Sequence, residues 1–534
     1  MTKPHVFVAM ADILNLKCDA WLLPTDTNVR IEQHWLLAHP QLRELAAASA
    51  SDSFRDGVAL AEPLRPWDPN TPQPIMTAVP DDGSWTPARV STRLEAFVQS
   101  AVAVIPESGT RPRRLLALPF FGTAGGGAGN HLGAALRAIL DACNELASRY
   151  GVDLVLVLRD KAAFSLAQKL RRESANHSTW PSLGDQLHGS AKNLGGKARA
   201  GHLVPFLGAG VSVSAGAPSW GQLLDKLRTG VQLMPTEEAA FKNLGVLDQA
   251  GVLEQLYSDQ HGSPTAFGEA VADAVDLPRY GLAPALLATL PSVGAITLNY
   301  DRLFETACLD AQRPRTVLPE NVPAVGNNWL LKLHGSVSQP GSIVLTRDDY
   351  LGYNSNREAL SALVKAHLLT HHLLFVGFGL ADDHFHEIVH DVRRALPTNV
   401  SQRHQMGTVL SLFHEPLQKL VWEGRLDILP MSGDTPDLDS GEEAMQNAVS
   451  AAGRELEIFL DMMMAYATDS HSYLLAPAYT RGLSREENQL RQQLLTLAKQ
   501  SRYEATAEVW DVLHTALLTL GYSPGNDYER NEVL

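Results

Sequence analysis

The run from His202 to Trp220, His-Leu-Val-Pro-Phe-Leu-Gly208-Ala-Gly210-Val-Ser212-Val-Ser-Ala-Gly-Ala-Pro-Ser-Trp, constrains this chain more than any other stretch. Leu203 to Leu207 reads as a short buried strand that enters a Gly-x-Gly turn. Ser219 then caps a helix whose apolar face is Trp220, Leu223, Leu224 and Leu227. Strand, glycine corner and helix, in that order, are how an open α/β sheet presents backbone N–H groups to a pyrophosphate. The turn is short enough to arise by chance, and Val213 stands where the third glycine of a dinucleotide fingerprint belongs. Three later stretches give it weight: Ile296-Thr297-Leu-Asn299-Tyr-Asp301, Leu331-Lys-Leu-His334-Gly-Ser336 and Leu374-Phe-Val-Gly377-Phe-Gly379-Leu-Ala-Asp382. Each is an apolar run ending in glycine or polar residues, and strand ends are where such a sheet builds its site.

A length of 534 residues predicts two to four domains. The formal net charge of −15 opposes non-specific binding to nucleic acid or to anionic membrane, so neither is expected as a partner. Cys18, Cys143 and Cys308 lie far apart with no CxxC pair, which fits a reducing cytoplasm and rules out a four-cysteine zinc ribbon. The opening Met-Thr-Lys-Pro-His-Val-Phe-Val has no signal-peptide character, and no apolar run is long enough to span a bilayer. A cytoplasmic location follows as the expectation.

Four regions are expected. Residues 1–172 form an α/β unit with strands near His5–Ala9, Ala20–Leu23, Leu115–Leu118 and Val152–Leu158 and a long helix over His131–Tyr150. Residues 173–200 are polar, glycine-bearing and aperiodic, and read as a linker with one helical turn. Residues 201–433 form a second α/β domain, and 434–534 a helical C-terminal region. Met462 to Met464 on its first helix are expected to pack on the chain's own core more readily than on another subunit.

In series, the four glycine and polar strand ends resemble the SIR2 (sirtuin-like) family. The GxPSW…LL and NYDRLFE forms, with Val344-Leu-Thr-x-x-Asp349-Tyr350, look like its bacterial anti-phage defence type. The resemblance implies a Rossmann-like domain with a parallel sheet that binds NAD. Carried over, Gly208, Ala209, Gly210 and Ser212 cradle the diphosphate; Thr297, Asn299 and Asp301 line the nicotinamide ribose and carboxamide; His334 is the catalytic histidine; Gly377, Gly379 and Asp382 complete the cofactor-binding set. The chemistry agrees. Cleaving the nicotinamide–ribose bond develops an oxocarbenium ion, so a histidine can accept from a ribose hydroxyl while Asn299 orients water and Asp301 accepts from the carboxamide.

Departures from the family bear on the acceptor. Leu298 replaces a glutamine, no cysteine falls between Gly201 and Asp301 to build the zinc ribbon, and Ser219-Trp220-Gly221 stands where deacylases carry Asp-Phe-Arg. These favour water, hence hydrolysis of NAD as substrate with no metal. Protein deacylation, ADP-ribosyl transfer or non-catalytic sensing of NAD or ADP-ribose are the alternatives. His386-Glu-Ile-Val-His390 fits HExxH, a short zinc motif read here as a chance match.

The first region is similar to the macro domain, an α/β/α module for ADP-ribose-like ligands. Ala11-Asp12-Ile13 with Cys18-Asp19-Ala20, and the loop holding Gly122, Gly125, Gly126 and Gly127, carry that likeness. It implies Asp12 on the adenine amine and the glycines on the diphosphate. The hydrolytic asparagines are absent, with Leu23-Pro24-Thr25-Asp26 in their place, so binding is expected there and not catalysis. An NAD-depleting enzyme needs a gate, and the macro-like region or the C-terminal helices are expected to hold the site inactive until a nucleotide or a protein partner binds; a homo-oligomer and a partner protein such as an ATPase encoded nearby complete the expectation.

Overall fold

The computed structural model describes residues 3–79, 85–107, 111–122, 131–174, 179–397, 405–433, 435–436, 441–468, 470–504 and 506–523. Two compact units emerge: residues 1–14, 18–184 and 468–534 form the first, and residues 15–17 and 185–467 the second.

In the first unit six strands form one sheet: β1 (Val6–Met10), β2 (Ala20–Thr25), β3 (Ala61–Pro63), β4 (Gln73–Ala78), β5 (Leu115–Pro119) and β6 (Asp153–Leu158), in the order β1-β6-β5-β2-β4-β3. All pairs are parallel except β3 against β4 at the edge. Strands such as Val-Phe-Val-Ala-Met are buried along their whole length, as a parallel sheet covered on both faces requires. Helices α1 (Pro87–Val104), α2 (Leu132–Tyr150) and α3 (Lys161–Glu173) supply the cover, with Leu136, Ile139, Cys143 and Leu146 of α2 turned inward. Asp160 caps α3, its carboxylate accepting from the Ala162 and Ala163 N–H groups.

The second unit carries β7 (Leu203–Leu207), β8 (Gly294–Thr297), β9 (Thr316–Leu318), β10 (Trp329–Lys332), β11 (His372–Val376), β12 (Gly407–Ser411) and β13 (Leu426–Pro430). The order is β13-β12-β11-β7-β8-β10-β9, every pair parallel. The chain runs from β7 to β8 on one side and later resumes at β11 on the other. A crevice therefore opens beyond the carboxyl end of β7, at the topological switch point. Between β7 and β8 stand helices, α5 (Trp220–Arg228), α6 (Val246–His261) and α7 (Ala266–Val275) among them, around a core of their own that includes Leu224, Leu253, Phe267 and Val271.

Two expectations are corrected. The stretch read as a linker contains a 15-residue helix, α4 (Asp185–Arg199), with His188, Ala191, Leu194 and Ala198 buried. It packs on the 26-residue helix Glu442–Ala467 of the same unit. Gly195 marks the contact: a Cβ there would sit 2.8 Å from the Met463 carbonyl oxygen. One of the glycines that suggested a linker, Gly195, is thus what lets two helices close. The C-terminal hundred residues are not one region either. Helix Glu442–Ala467 belongs to the second unit, whereas helices Arg485–Glu504 and Ala507–Thr519 belong to the first. Met462, Met463 and Met464 are buried, as core residues are. No helix among the described residues is long and apolar enough to cross a membrane.

Candidate functional site

A cavity of about 490 Å³ lies at the switch point of the second unit. Gly208, Ala209, Ser212, Asn299, Asp301, His334, Gly377, Gly379 and Asp382 all line it; Gly210 and Thr297, also expected at the site, are not in its lining. The strand ends that deliver these residues are neighbours in the sheet, so groups scattered over 175 positions converge for topological reasons.

The glycine corner has a task besides the one its spacing predicts. The Gly210 N–H donates to the Gly377 carbonyl at 2.9 Å, and the Gly208 N–H to that of Val376 at 3.0 Å. A Cβ on Gly210 would lie 2.7 Å from the Gly377 Cα, and one on Gly208 would meet the Gly377 carbonyl. The β7 and β11 loops are pressed together, and the glycines permit that contact as well as any approach of a ligand. Beyond the corner the chain makes two short 3₁₀ turns, Ala209–Val211 and Val213–Ala215, before α5 begins behind the Ser219/Gln222 capping box.

Ser212 is buried at the centre of a polar chain. Its Oγ donates to Asp301 Oδ2 at 2.8 Å and accepts from Asn299 Nδ2 at 3.1 Å. Thr297 ties this chain to the sheet: its Oγ1 donates to the Leu207 carbonyl at 3.1 Å and accepts from the Asn299 N–H at 3.0 Å. With its amide nitrogen held, Asn299 is left with a buried, unpartnered Oδ1. Asp301 has both oxygens engaged, the second by the Leu303 N–H at 3.0 Å. Burial pushes its carboxyl above the usual range, against the opposing pull of Lys332. In this arrangement Asp301 holds Ser212, and through it Asn299.

His334 follows β10 and is 2% exposed. Its Nε2 has no hydrogen-bond partner and lies 3.7 Å from Asp382 Oδ2. Burial lowers the imidazole to about 4, with Asp382 pulling the other way, so the ring is neutral at pH 7. Tyr350 lines the cavity and donates to Asp382 Oδ2 at 2.9 Å, its ring edge-on to His334 with centroids 5.5 Å apart. Tyr350 is aimed by the Thr346/Asp349 capping box that starts α8 (Arg347–Thr370).

Sequence reasoning missed several contributors. Lys332 is 1% exposed in β10 and donates to the Tyr300 and Asp301 carbonyls and to Glu305 Oε1, at 3.0, 2.5 and 2.6 Å. A lysine inside the apolar run Leu330-Leu-Lys-Leu333 was its signal. Trp220, Leu223, Val246, Leu247 and Val275 form an apolar wall contributed by the helical insert, and the buried Trp220 Nε1 is also unpartnered. One group of potential metal ligands stands out among the described residues: single ligand atoms of His334, Asp382 and His384 lie within 4.8 Å of one another. The HExxH histidines do not join it. His386 Nε2 faces the Leu380 carbonyl at 2.8 Å, and the side chain of His390 is 66% exposed.

The first unit has its own cavity, about 590 Å³, lined by Asp12, Thr25, Trp35, Phe121, Gly122 and Asp160 among others. Asp12 Oδ1 accepts from the Leu14 N–H, and its Oδ2 lies 3.4 Å from Arg159. Gly125, Gly126 and Gly127 lie outside the described residues.

Within the second unit, residues 293–424 match the SIR2-like domain family, so the chain carries a SIR2-like domain there. Among curated relatives, it is 32% identical over 211 residues to Defense-associated sirtuin 2 of Bacillus subtilis, covering 38% of this chain and 20% of that protein. It is 30% identical over 212 residues to NAD(+) hydrolase ThsA of Enterococcus faecium (37% and 41% covered) and 28% identical over 199 residues to NAD(+) hydrolase ThsA of Bacillus cereus (36% and 40% covered). The matched stretches thus span less than half the length of these relatives. Among solved structures, a chain titled Alphavirus P23pro-zbd aligns at 12% identity over 62% of this chain and 46% of its own, with a TM-score of 0.25, and nothing rests on that likeness.

Proposed function

We propose that the second unit hydrolyses NAD to nicotinamide and ADP-ribose, and that the protein acts in anti-phage defence by depleting NAD. The observation that carries the reading is a set of three buried, unpartnered side-chain atoms, Asn299 Oδ1, His334 Nε2 and Trp220 Nε1, all from residues lining the switch-point cavity. Buried polar atoms without partners are rare, and a polar ligand completes them. A neutral His334 can accept from a ribose hydroxyl as positive charge grows on the sugar, while Asn299 Oδ1 accepts from the attacking water. Trp220, Leu223, Val246, Leu247 and Val275 give the cavity an apolar wall from the helical insert, and the lack of zinc-ribbon cysteines, with Ser219-Trp220-Gly221 in place of Asp-Phe-Arg, favours water as acceptor. The relatives named as NAD(+) hydrolases and as a defence-associated sirtuin point the same way. Under this reading NAD is the substrate and the chemistry needs no metal; His334, Asp382 and His384 are the residues that could hold a cation.

The first unit we read as a macro-like binding module for an ADP-ribose-like ligand, supported by its cavity with Asp12 and Gly122 at the lining. A cytoplasmic homo-oligomer, gated by that module or by a partner protein, completes the proposal.

Purified protein incubated with NAD tests it. Free nicotinamide and ADP-ribose in equal amounts are expected, with no dependence on acyl-lysine. His334→Ala and Asn299→Ala are each expected to lower turnover by about a hundredfold or more, with unchanged circular dichroism. Full activity in either variant refutes the roles assigned.

A further inference from the structure

The cavity of the first unit is not built by the N-terminal segment alone. Tyr479, from the 3₁₀ turn Pro477–Gly482, lines it beside Asp160, Phe121 and Leu132. Its hydroxyl donates to Asp160 Oδ2 at 2.5 Å, across 319 positions of sequence. Burial and the adjoining carboxylate both push the phenol upward, so it stays a donor. The turn is seated by backbone contact: a Cβ on Gly133 of α2 would lie 2.8 Å from the Gly482 Cα, and one on Gly482 would lie 2.9 Å from the Gly133 Cα. Arg481 Nη1 reaches the His131 ring at 2.8 Å, beside the start of α2. Tyr473, Ala476, Ala478 and Leu483 pack into the same core as the sheet.

We infer that residues 470–483 are a structural part of the first unit's ligand site, and that Tyr479 is a ligand-contacting residue whose ring forms one wall for a nucleotide-type ligand. This rests on the reading of that unit as a nucleotide binder. The ligand class follows from the lining. Trp35, Phe120, Phe121 and Tyr479 offer aromatic surface to a flat heterocycle, and Asp12 offers a carboxylate to an exocyclic amine. Anionic groups find Arg159 and Arg30 at the lining and the start of α2, which the His131 side chain does not cap. Asp160 already fills the α3 terminus, so Tyr479 fixes the carboxylate there and leaves the anion to the other end. A ligand that touches Tyr479 therefore adds contacts to the seated C-terminal segment.

The test titrates the full chain with ADP-ribose by calorimetry and follows hydrogen exchange over residues 470–483. Wild type is expected to bind and to gain protection across that segment. Tyr479→Phe keeps the ring and should weaken binding severalfold, and Tyr479→Ala on the order of tenfold, both with near-wild-type far-UV circular dichroism. Unchanged affinity in a folded Tyr479→Ala variant, or protection that stops short of residues 470–483, overturns the inference while leaving the nucleotide reading intact. A wild type that does not bind ADP-ribose overturns both.

Discussion

His334 shows how one residue's surroundings set its chemistry. The imidazole is held neutral by burial, with its folded value lowered from 6.5 to about 4. The acid limb of kcat/KM, which reports the free enzyme, is therefore expected nearer pH 4 than pH 6.5 in nicotinamide-release assays across pH. The same shift affects stability. A depressed folded value means the contribution is present above about pH 6.5 and lost as pH falls through about 4, because the unfolded chain takes up the proton first. Urea midpoints should fall over that window in wild type, and less so in His334→Asn. Lys332 offers a second test. It is bonded to Glu305 and to the carbonyls that shape the Tyr300–Asp301 turn, so Lys332→Met leaves a desolvated carboxylate unmatched. A loss of about 3 kcal/mol in denaturant unfolding is expected, with the proposed NAD turnover lost through the displaced Asn299 turn.

Among elements, the contact between the β7 and β11 loops decides whether the site exists. Gly377 has φ +64°, and Gly208 faces it with no space for a side chain. Gly208→Ala is expected to cost about 1–3 kcal/mol by overpacking, read from chemical denaturation, and to abolish the proposed NAD hydrolysis. The strands themselves were legible: Leu203–Leu207 has the predicted bounds, and β8, β10 and β11 fall on the apolar runs before Asn299, His334 and Gly377. Helix α4 was not, because its polar, glycine-bearing composition has no visible period until the partner helix Glu442–Ala467 is placed beside Gly195.

The whole molecule contains two units, each with its own sheet and core. Calorimetric unfolding should not be two-state: the calorimetric enthalpy is expected to exceed the van't Hoff enthalpy. ADP-ribose should move the transition of the first unit, and a non-hydrolysable NAD analogue that of the second. A single transition with matching enthalpies contradicts independent cores.

What this sequence determined by itself was local. Apolar runs buried on both faces of a parallel sheet, glycine corners and a Ser219 cap are written within a few residues of one another, so class, strand positions and the candidate residues Asn299 and His334 can be read directly. What only the tertiary structure decided were pairings across long separations. Ser212 holding the Asn299 amide spans 87 positions, Tyr350 on Asp382 spans 32, and Tyr479 on Asp160 spans 319. A hydrogen bond between distant residues leaves no periodic trace in the chain. It exists because packing brings two groups together out of water, where leaving either unmade is costly.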